Sequence, residues 1–210
     1  MLKNTPAKRA ENPKYQKFEK HFTQTLLKIL KKSGRNLSLR PCHIYKISGS
    51  SKSTFFNHYT DANSILEQEE LRILSLFEQK MRPLYQKSAS LDLIMYNFLF
   101  FLYRHRYILD AELSNHDYTI LYKLLISLKP RIIPIWKNYS MELLDKLYEK
   151  YLFIVFAIID DWHTYHFNEQ NIEKYLQKLI YFTRHADTIL LKLDVSSSTE
   201  KINLDFLVKK

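Results

Sequence analysis

The sequence predicts an all-α protein. Only two glycines and six prolines occur among 210 residues, too few turn-forming residues for a fold rich in β-strands. Long runs of apolar residues instead recur at the spacing of an α-helix. Hydrophobic residues make up 46% of the chain, which is enough to bury a core and excludes a disordered protein.

The first helix is predicted over about residues 13–33. One of its faces is apolar and consists of Phe18, Phe22, Leu26, Ile29 and Leu30. Six lysines occupy much of the remaining surface. Gly34 gives this helix a natural end, and Pro41, a favoured residue of a first helical turn, begins the next helix.

Two short helices joined by a turn are predicted next. The first covers about Pro41–Ile47 and the second about Ser51–Tyr59. Ser50 or Ser51 is the expected N-cap of the second helix. Gly49 lies in the turn, where it adopts a positive φ at little cost. Two short helices joined by a turn with glycine are typical of a helix-turn-helix motif.

Residues in and beside the second short helix are the predicted DNA contacts. At its start, Lys52, Ser53 and Thr54 are expected to reach base edges, because lysine donates to guanine and hydroxyls donate or accept. The later residues are expected to contact backbone phosphates or to pack within the protein, and both alternatives stay open for His58. The full predicted DNA-binding set is Arg40, Lys46, Ser51, Lys52, Ser53, Thr54, Asn57, His58 and Tyr59.

The positive charge is concentrated in the N-terminal part of the chain. Residues 1–60 hold 13 Lys and Arg against two acids, a net charge of +11, and no acid occurs between Lys20 and Thr60. The other 150 residues hold 19 basic and 20 acidic residues, a net charge of −1. A basic end beside a neutral body indicates a polyanionic partner for one end only. We therefore expect a three-helix DNA-binding domain over residues 1–60 and a second domain, a helical bundle, over residues 61–210.

The second domain is expected to begin with a long helix over about residues 62–82. Asp61 is its expected cap, and Pro83 is expected to end or kink it. The segment 151–159 is apolar nearly all round, so we expect it to be buried on both sides. The other predicted helices, with breaks at Pro130 and Pro134, are Leu91–Ile108, Tyr118–Leu128, Arg131–Asn138, Met141–Phe167 and Asn171–Leu193.

Aromatic residues of the second domain predict an apolar effector pocket, although each of them alone also suits a plain core position. The candidates are Tyr96, Phe100, Tyr103, Trp136, Phe156 and Trp162. A metal or acid–base site is a weaker hypothesis, since capping, dimer contacts and a polar end to a buried helix explain its members more simply. These members are Asp160, Asp161, His163 and His166. The sequence has no glycine-rich phosphate loop, nucleophile elbow or paired-cysteine zinc site, so we expect neither an enzyme nor a bound cofactor.

Cysteine content and hydropathy indicate the compartment. A single cysteine, Cys42, allows no internal disulfide and fits a reducing environment. The N-terminal segment lacks the apolar stretch of a secretory signal. No apolar run approaches the roughly 20 residues of a membrane span. The sequence therefore predicts a cytoplasmic protein with no membrane partner.

The residues around Gly49 follow a recognisable order, in which a small-residue turn precedes a Thr-x-aromatic-x-His-aromatic helix and a capped, leucine-bearing helix. That order is Ser48-Gly49-Ser50-Ser51, then Thr54-Phe55-Phe56-Asn57-His58-Tyr59, then Asp61 and Leu66. It resembles the TetR family of bacterial transcriptional regulators, which the remaining chain matches in length and helix order. The resemblance implies that the helical bundle of residues 61–210 is a ligand-binding and dimerisation domain, with a homodimer through about residues 151–191. It also implies a palindromic operator in double-stranded DNA, a small-molecule effector and, most often, repression.

Three positions depart from the family pattern. Phe56 stands where a tyrosine often donates its hydroxyl to a phosphate, Ala62 where a lysine commonly holds one, and Tyr45 where a small buried residue is usual. These departures motivate an alternative, an interaction protein with a degenerate helix-turn-helix that acts through a protein partner. A third interpretation, a basic membrane-surface module, rests on the first helix alone, whose apolar face is better used as core.

Overall fold

A computed structural model describes residues 13–33, 40–136 and 139–196 of the protein. Within these ranges the chain forms nine α-helices and two short 3-10 helices, and it contains no β-strand. The all-α prediction is therefore confirmed. The arrangement of a helix-turn-helix domain ahead of a helical bundle stays a prediction.

The helices, numbered along the chain, are α1 (Pro13–Ser33), α2 (Pro41–Ile47), α3 (Lys52–Phe56), α4 (Ala62–Gln86), α5 (Leu91–Arg104), α6 (Arg106–Leu113), α7 (Thr119–Ile132), α8 (Met141–Thr164) and α9 (Ile172–Ser196). The 3-10 helices are Ile133–Ile135 and Glu169–Asn171. The predicted bounds of α1 and α2 are confirmed. Side-chain oxygens accept from the backbone amide three residues on, as helix caps do, at Ser51, Asp61, Ser90 and Ser140.

The helix α3 is shorter than the predicted Ser51–Tyr59. It ends at Phe56, and Asn57 is its C-cap. The amides of His58 and Tyr59 both donate to the Phe55 carbonyl, over 2.9 and 3.0 Å. The last residues of the predicted helix therefore lie in a turn, from which Tyr59 points into the core.

Two prolines lie inside helices, so the predicted break at Pro130 is wrong and Pro83 does not end its helix; a kink at Pro83 stays a prediction. α4 continues through Pro83, and α7 contains Pro130. A proline lacks the amide that would donate to the carbonyl four residues back, and the helices continue for only three and two residues beyond Pro83 and Pro130. Pro134 does lie at a break, in the 3-10 helix Ile133–Ile135. A further break, not predicted, divides α5 from α6 at His105.

The helices form two compact units. The first unit contains the described residues up to Ser75 together with Asp110–Asp117. The second unit contains Leu76–Leu109 and the described residues from Tyr118 onward. The predicted domain boundary after residue 60 stays a prediction.

The core of the first unit is built on the apolar face of α1. Phe22, Leu26 and Leu30 are buried there, as their spacing predicted. The buried ring of Phe55 meets Phe22 edge-on, with 5.4 Å between the ring centroids. Tyr59 packs against the same ring at 6.0 Å. These contacts hold α3 and the turn after it against α1.

A hydrogen-bonded aromatic cluster lies in the core of the second unit. The indole Nε1 of Trp136 donates to the Thr183 carbonyl over 2.7 Å. The Thr183 hydroxyl donates to the Leu179 carbonyl over 2.6 Å and lies 2.8 Å from the Tyr151 hydroxyl. Burial raises the pKa of Tyr151, so its phenol keeps its proton and donates it to Thr183. Phe182 stacks on Tyr151 at 5.6 Å.

One face of α8 is exposed, so the prediction that its apolar segment is buried on both sides is wrong. Tyr151, Val155 and Ile159 are buried, whereas Phe153 exposes 72% of its surface and Ala157 is exposed as well. The helix packs against α9 and α7, which cover only part of its circumference. Because Phe153 and Ala157 are four residues apart, they lie on the same face.

Candidate nucleic-acid interface

The turn between α2 and α3 is a hydrogen-bonded helix end. The Ser50 amide donates to the Tyr45 carbonyl over 2.8 Å, and the Gly49 amide donates to the Lys46 carbonyl over 3.1 Å. This is the Schellman pattern, which places a residue in the left-handed conformation just after the helix. Gly49 is that residue, with φ of +65°, and a Cβ added to it would meet no atom within 4 Å. The glycine is therefore required by the backbone conformation and not by crowding.

Ser51 caps the start of α3 through its side chain. Its Oγ accepts from the Thr54 amide over 3.0 Å and lies 2.8 Å from the Thr54 hydroxyl oxygen. Thr54 is half-buried and its hydroxyl is engaged in this cap, while Lys52 and Ser53 are exposed. Of the three residues predicted to reach base edges, Lys52 and Ser53 are thus the accessible ones.

The other predicted DNA contacts divide by exposure. Arg40, Lys46 and Asn57 are exposed, as is Ser51. Tyr59 is buried, and that burial raises the pKa of its phenol, which stays neutral. Tyr59 therefore serves the core of the first unit.

His58 packs against α1. Its side chain is only 5% exposed, and its ring stacks on Tyr15 with 3.8 Å between the centroids. Burial lowers the pKa of His58, so the neutral ring is favoured, although its Nδ1 lies 4.0 Å from a Glu19 carboxylate oxygen. Burial likewise raises the pKa of Glu19. Of the two alternatives left open for His58, the geometry favours packing over phosphate contact.

His21 is a positioning contact that the sequence analysis missed. Its Nε2 lies 3.0 Å from the Ser48 carbonyl oxygen, so α1 holds the last residue before Gly49 through a side-chain hydrogen bond. The two residues are 27 positions apart. No local sequence signal marks such a contact.

The three departures from the family pattern differ in their surroundings. Ala62 is buried at the start of α4. Tyr45 is half-buried, and its ring lies 6.2 Å from that of Phe55. Phe56 exposes 46% of its surface, at the end of α3.

Exposed cations surround these elements in the first unit. Six are lysines of α1, all of them exposed: Lys14, Lys17, Lys20, Lys28, Lys31 and Lys32. One of them, Lys31, forms an ion pair with Asp110 over 2.6 Å. The first unit therefore presents basic side chains from α1, α2 and α3.

Three of the predicted pocket residues form a stripe along α5 in the second unit. The rings of Tyr96 and Phe100 are stacked with centroids 6.1 Å apart, and Tyr103 follows at 6.3 Å. Cations lie against Phe100, with Lys80 at 4.9 Å and Arg104 at 5.1 Å from the ring centroid. This stripe combines aromatic surface with positive charge.

The remaining pocket candidates have different neighbours. Trp136 belongs to the aromatic cluster around Thr183. Trp162 is buried against Phe167, with 5.1 Å between the ring centroids, while Phe156 stacks on Tyr118 at 5.1 Å. The structure thus distributes the six candidates over several settings, and a shared effector pocket stays a prediction.

Asp161 joins α8 to α9. Its Oδ2 accepts from the Tyr175 hydroxyl over 3.0 Å and from the Lys178 ammonium over 3.1 Å. These bonds give the carboxylate a structural role without a metal. In the part of the chain that the structure describes, no group of three or more His, Cys, Asp or Glu side chains is arranged to hold a metal ion.

Comparison with known proteins gives no match, whether with protein-family models, curated proteins or solved structures. Among the described residues, no helix has both the length and the apolar character that crossing a membrane requires.

Proposed function

We propose that the protein is a dimeric DNA-binding transcriptional regulator of the TetR type, acting as a repressor. The observation that carries the proposal is the segment α2–turn–α3. It combines a glycine-ended first helix, a serine-capped second helix, and exposed Lys52 and Ser53 at the start of that second helix. The segment lies within the stretch from Lys20 to Thr60, which contains basic residues and no acid. This chemistry suits the major groove and the phosphates beside it.

The exposed face of α8 supports a dimer through residues 151–191. Phe153 places a large apolar side chain in solvent, with the small Ala157 on the same face. A two-fold interface uses one patch twice, so each dimer would bury two phenylalanine rings. Burial of one such ring contributes roughly 1.5–3 kcal/mol. A dimer would also present two copies of α3 to successive major grooves of a palindrome.

The aromatic stripe on α5 supports an aromatic or amphipathic effector. Stacked rings beside Lys80 and Arg104 offer apolar contact together with positive charge. An effector that binds one conformation of the dimer more tightly would shift the population toward it. Release of the operator follows when the favoured conformation holds the two α3 helices at a spacing that does not fit DNA.

The test is selection of binding sites by the full-length chain from random-sequence DNA, followed by fluorescence anisotropy. The selected DNA is compared with its scrambled sequence at two salt concentrations. Specific binding should exceed non-specific binding by roughly 10³ or more, and affinity should fall steeply as salt rises. Weak binding of equal strength to both DNAs, with no sequence enriched in the selection, would refute the proposal.

A matched pair of variants places the contact. Lys52→Ala removes an exposed cation from α3, and Lys146→Ala removes an exposed cation from α8 in the second unit. Both variants change the net charge equally. We expect Lys52→Ala to weaken specific binding by about 1–3 kcal/mol per half-site and Lys146→Ala to leave it near the wild-type value. Equal effects of the two variants would indicate a general charge effect in place of a contact.

A further inference from the structure

Phe56 exposes a large apolar side chain among cations. It ends α3 and shows 46% of its surface, while the ring of its neighbour Phe55 is buried. Phe55 is thus the residue that packs in the core of the first unit, whereas about half of the Phe56 side chain is accessible to a partner. Exposed apolar side chains in a basic, acid-free stretch suit a partner that is negatively charged and carries apolar groups as well.

The position of Phe56 relative to Lys52 limits the kind of partner that can bind both side chains. The two residues are the last and the first of α3, four positions apart, so they lie on the same side of the helix. Ser53 and Asn57, both exposed, form the adjoining row. An ammonium, a hydroxyl, an amide and an aromatic ring are therefore presented together by one helical turn.

Duplex DNA offers a match for each of these groups. Phosphates and guanine accept from lysine, and base edges bond to hydroxyls and amides. The apolar feature of the major groove is the C5-methyl group of thymine, which phenylalanine side chains contact. Phe56 also lacks the hydroxyl with which a tyrosine would bond to a phosphate, so its ring has no polar role in that groove.

We propose that Phe56 reads thymine, by packing its ring on the C5-methyl group of one thymine in each half-site. This inference rests on the proposed DNA-binding function and adds a specificity determinant to it. Removing one buried methyl group costs about fourfold in affinity. Removing it from both half-sites of a palindrome should therefore cost about fifteenfold.

The experiment replaces each thymine of the selected DNA, one position at a time, with deoxyuridine, which lacks only the methyl group. Wild-type protein should lose about fourfold in affinity at one position per half-site. Phe56→Ala should bind more weakly and lose the difference between thymine and uracil at that position. Phe56→Leu keeps an apolar side chain and should keep part of the difference. Leu71→Ala, at an exposed leucine of α4, is the control that should keep all of it.

The outcomes separate this inference from the proposed function. If no thymine is sensitive to loss of its methyl group, or if Phe56→Ala retains the wild-type sensitivity, thymine reading by Phe56 is wrong while DNA binding stands. If Phe56→Ala instead changes the oligomeric state in analytical ultracentrifugation without DNA, and keeps the wild-type loss of affinity on replacing thymine with uracil, the Phe56 ring belongs to a protein–protein contact. If wild-type protein enriches no sequence at all, the proposed function itself fails. Circular dichroism of each variant verifies that the helices are formed.

Discussion

Replacing Gly49 with alanine tests the helix end that joins α2 to α3. The residue has φ of +65°, and an added Cβ would meet nothing within 4 Å. The cost of alanine is therefore the cost of a left-handed backbone alone, about 1 kcal/mol. The hydrogen bonds from the Gly49 and Ser50 amides to α2 depend on the same conformation. We expect Gly49→Ala to lower the free energy of unfolding of the first unit by about 1 kcal/mol.

The assay is urea unfolding followed by two signals. Circular dichroism at 222 nm reports all helices, whereas tryptophan fluorescence reports the second unit, because both tryptophans, Trp136 and Trp162, lie there. Gly49→Asn is the matched control, since asparagine tolerates the left-handed region better than alanine does. It should lose less stability than Gly49→Ala. An alanine variant as stable as wild type, or more stable than the asparagine variant, would refute the assignment of Gly49 to a left-handed helix end.

Three further predictions concern the dimer, pH and the second core. Phe153→Glu should give monomers in analytical ultracentrifugation with little loss of helix, because Phe153 is 72% exposed in the single chain. The control Leu71→Glu, at a 65% exposed leucine outside α8, should stay dimeric. A monomeric wild-type protein would contradict the proposed dimer. Since burial lowers the pKa of His58 below 6.5, its contribution to stability is full above that pH and is lost as pH falls through the folded pKa. His58→Phe should flatten this part of the urea-midpoint profile, and an unchanged profile would contradict this role of His58. Glu19 cannot replace His58 in this account, because its raised pKa makes the folded state more stable as pH falls. Thr183→Val should cost roughly 1–3 kcal/mol because it leaves a buried tyrosine hydroxyl without its acceptor, and a neutral effect on the fluorescence transition would contradict the hydrogen-bond chain.

Much of the fold was predictable because its signals are local. The apolar spacing of α1, the proline at the start of α2 and the serine before α3 each act within one or two helical turns. The break at Pro130 was predicted wrongly because a local rule was applied without exception. A proline disfavours the helix around it, but the rule does not say how far the helix continues, and α7 extends to Ile132 and α4 to Gln86.

The candidate site was predictable in position and less so in the role of each side chain. Lys52 and Ser53 are exposed as expected, but the Thr54 hydroxyl is taken by the Ser51 cap. A serine and a threonine three residues apart at a helix start are the signal from which that cap follows. His58 and His21, in contrast, find their partners on other elements, so only the folded chain reveals them.

The hydrogen bonds of Thr183 fix the axial register of α9. Its carbonyl accepts from the Trp136 indole, and its hydroxyl accepts from Tyr151 while donating to the carbonyl one turn back. A slide of α9 by one turn would bring Leu179 or Asp187 to this place. Leucine has no oxygen in its side chain to accept from Tyr151, and an ionised aspartate would place an unpaired charge in a buried core. The threonine hydroxyl therefore makes one alignment of α9 with α8 more favourable than those a turn away. The leucines and isoleucines of α9, whose side chains form no hydrogen bonds, would not distinguish these alignments.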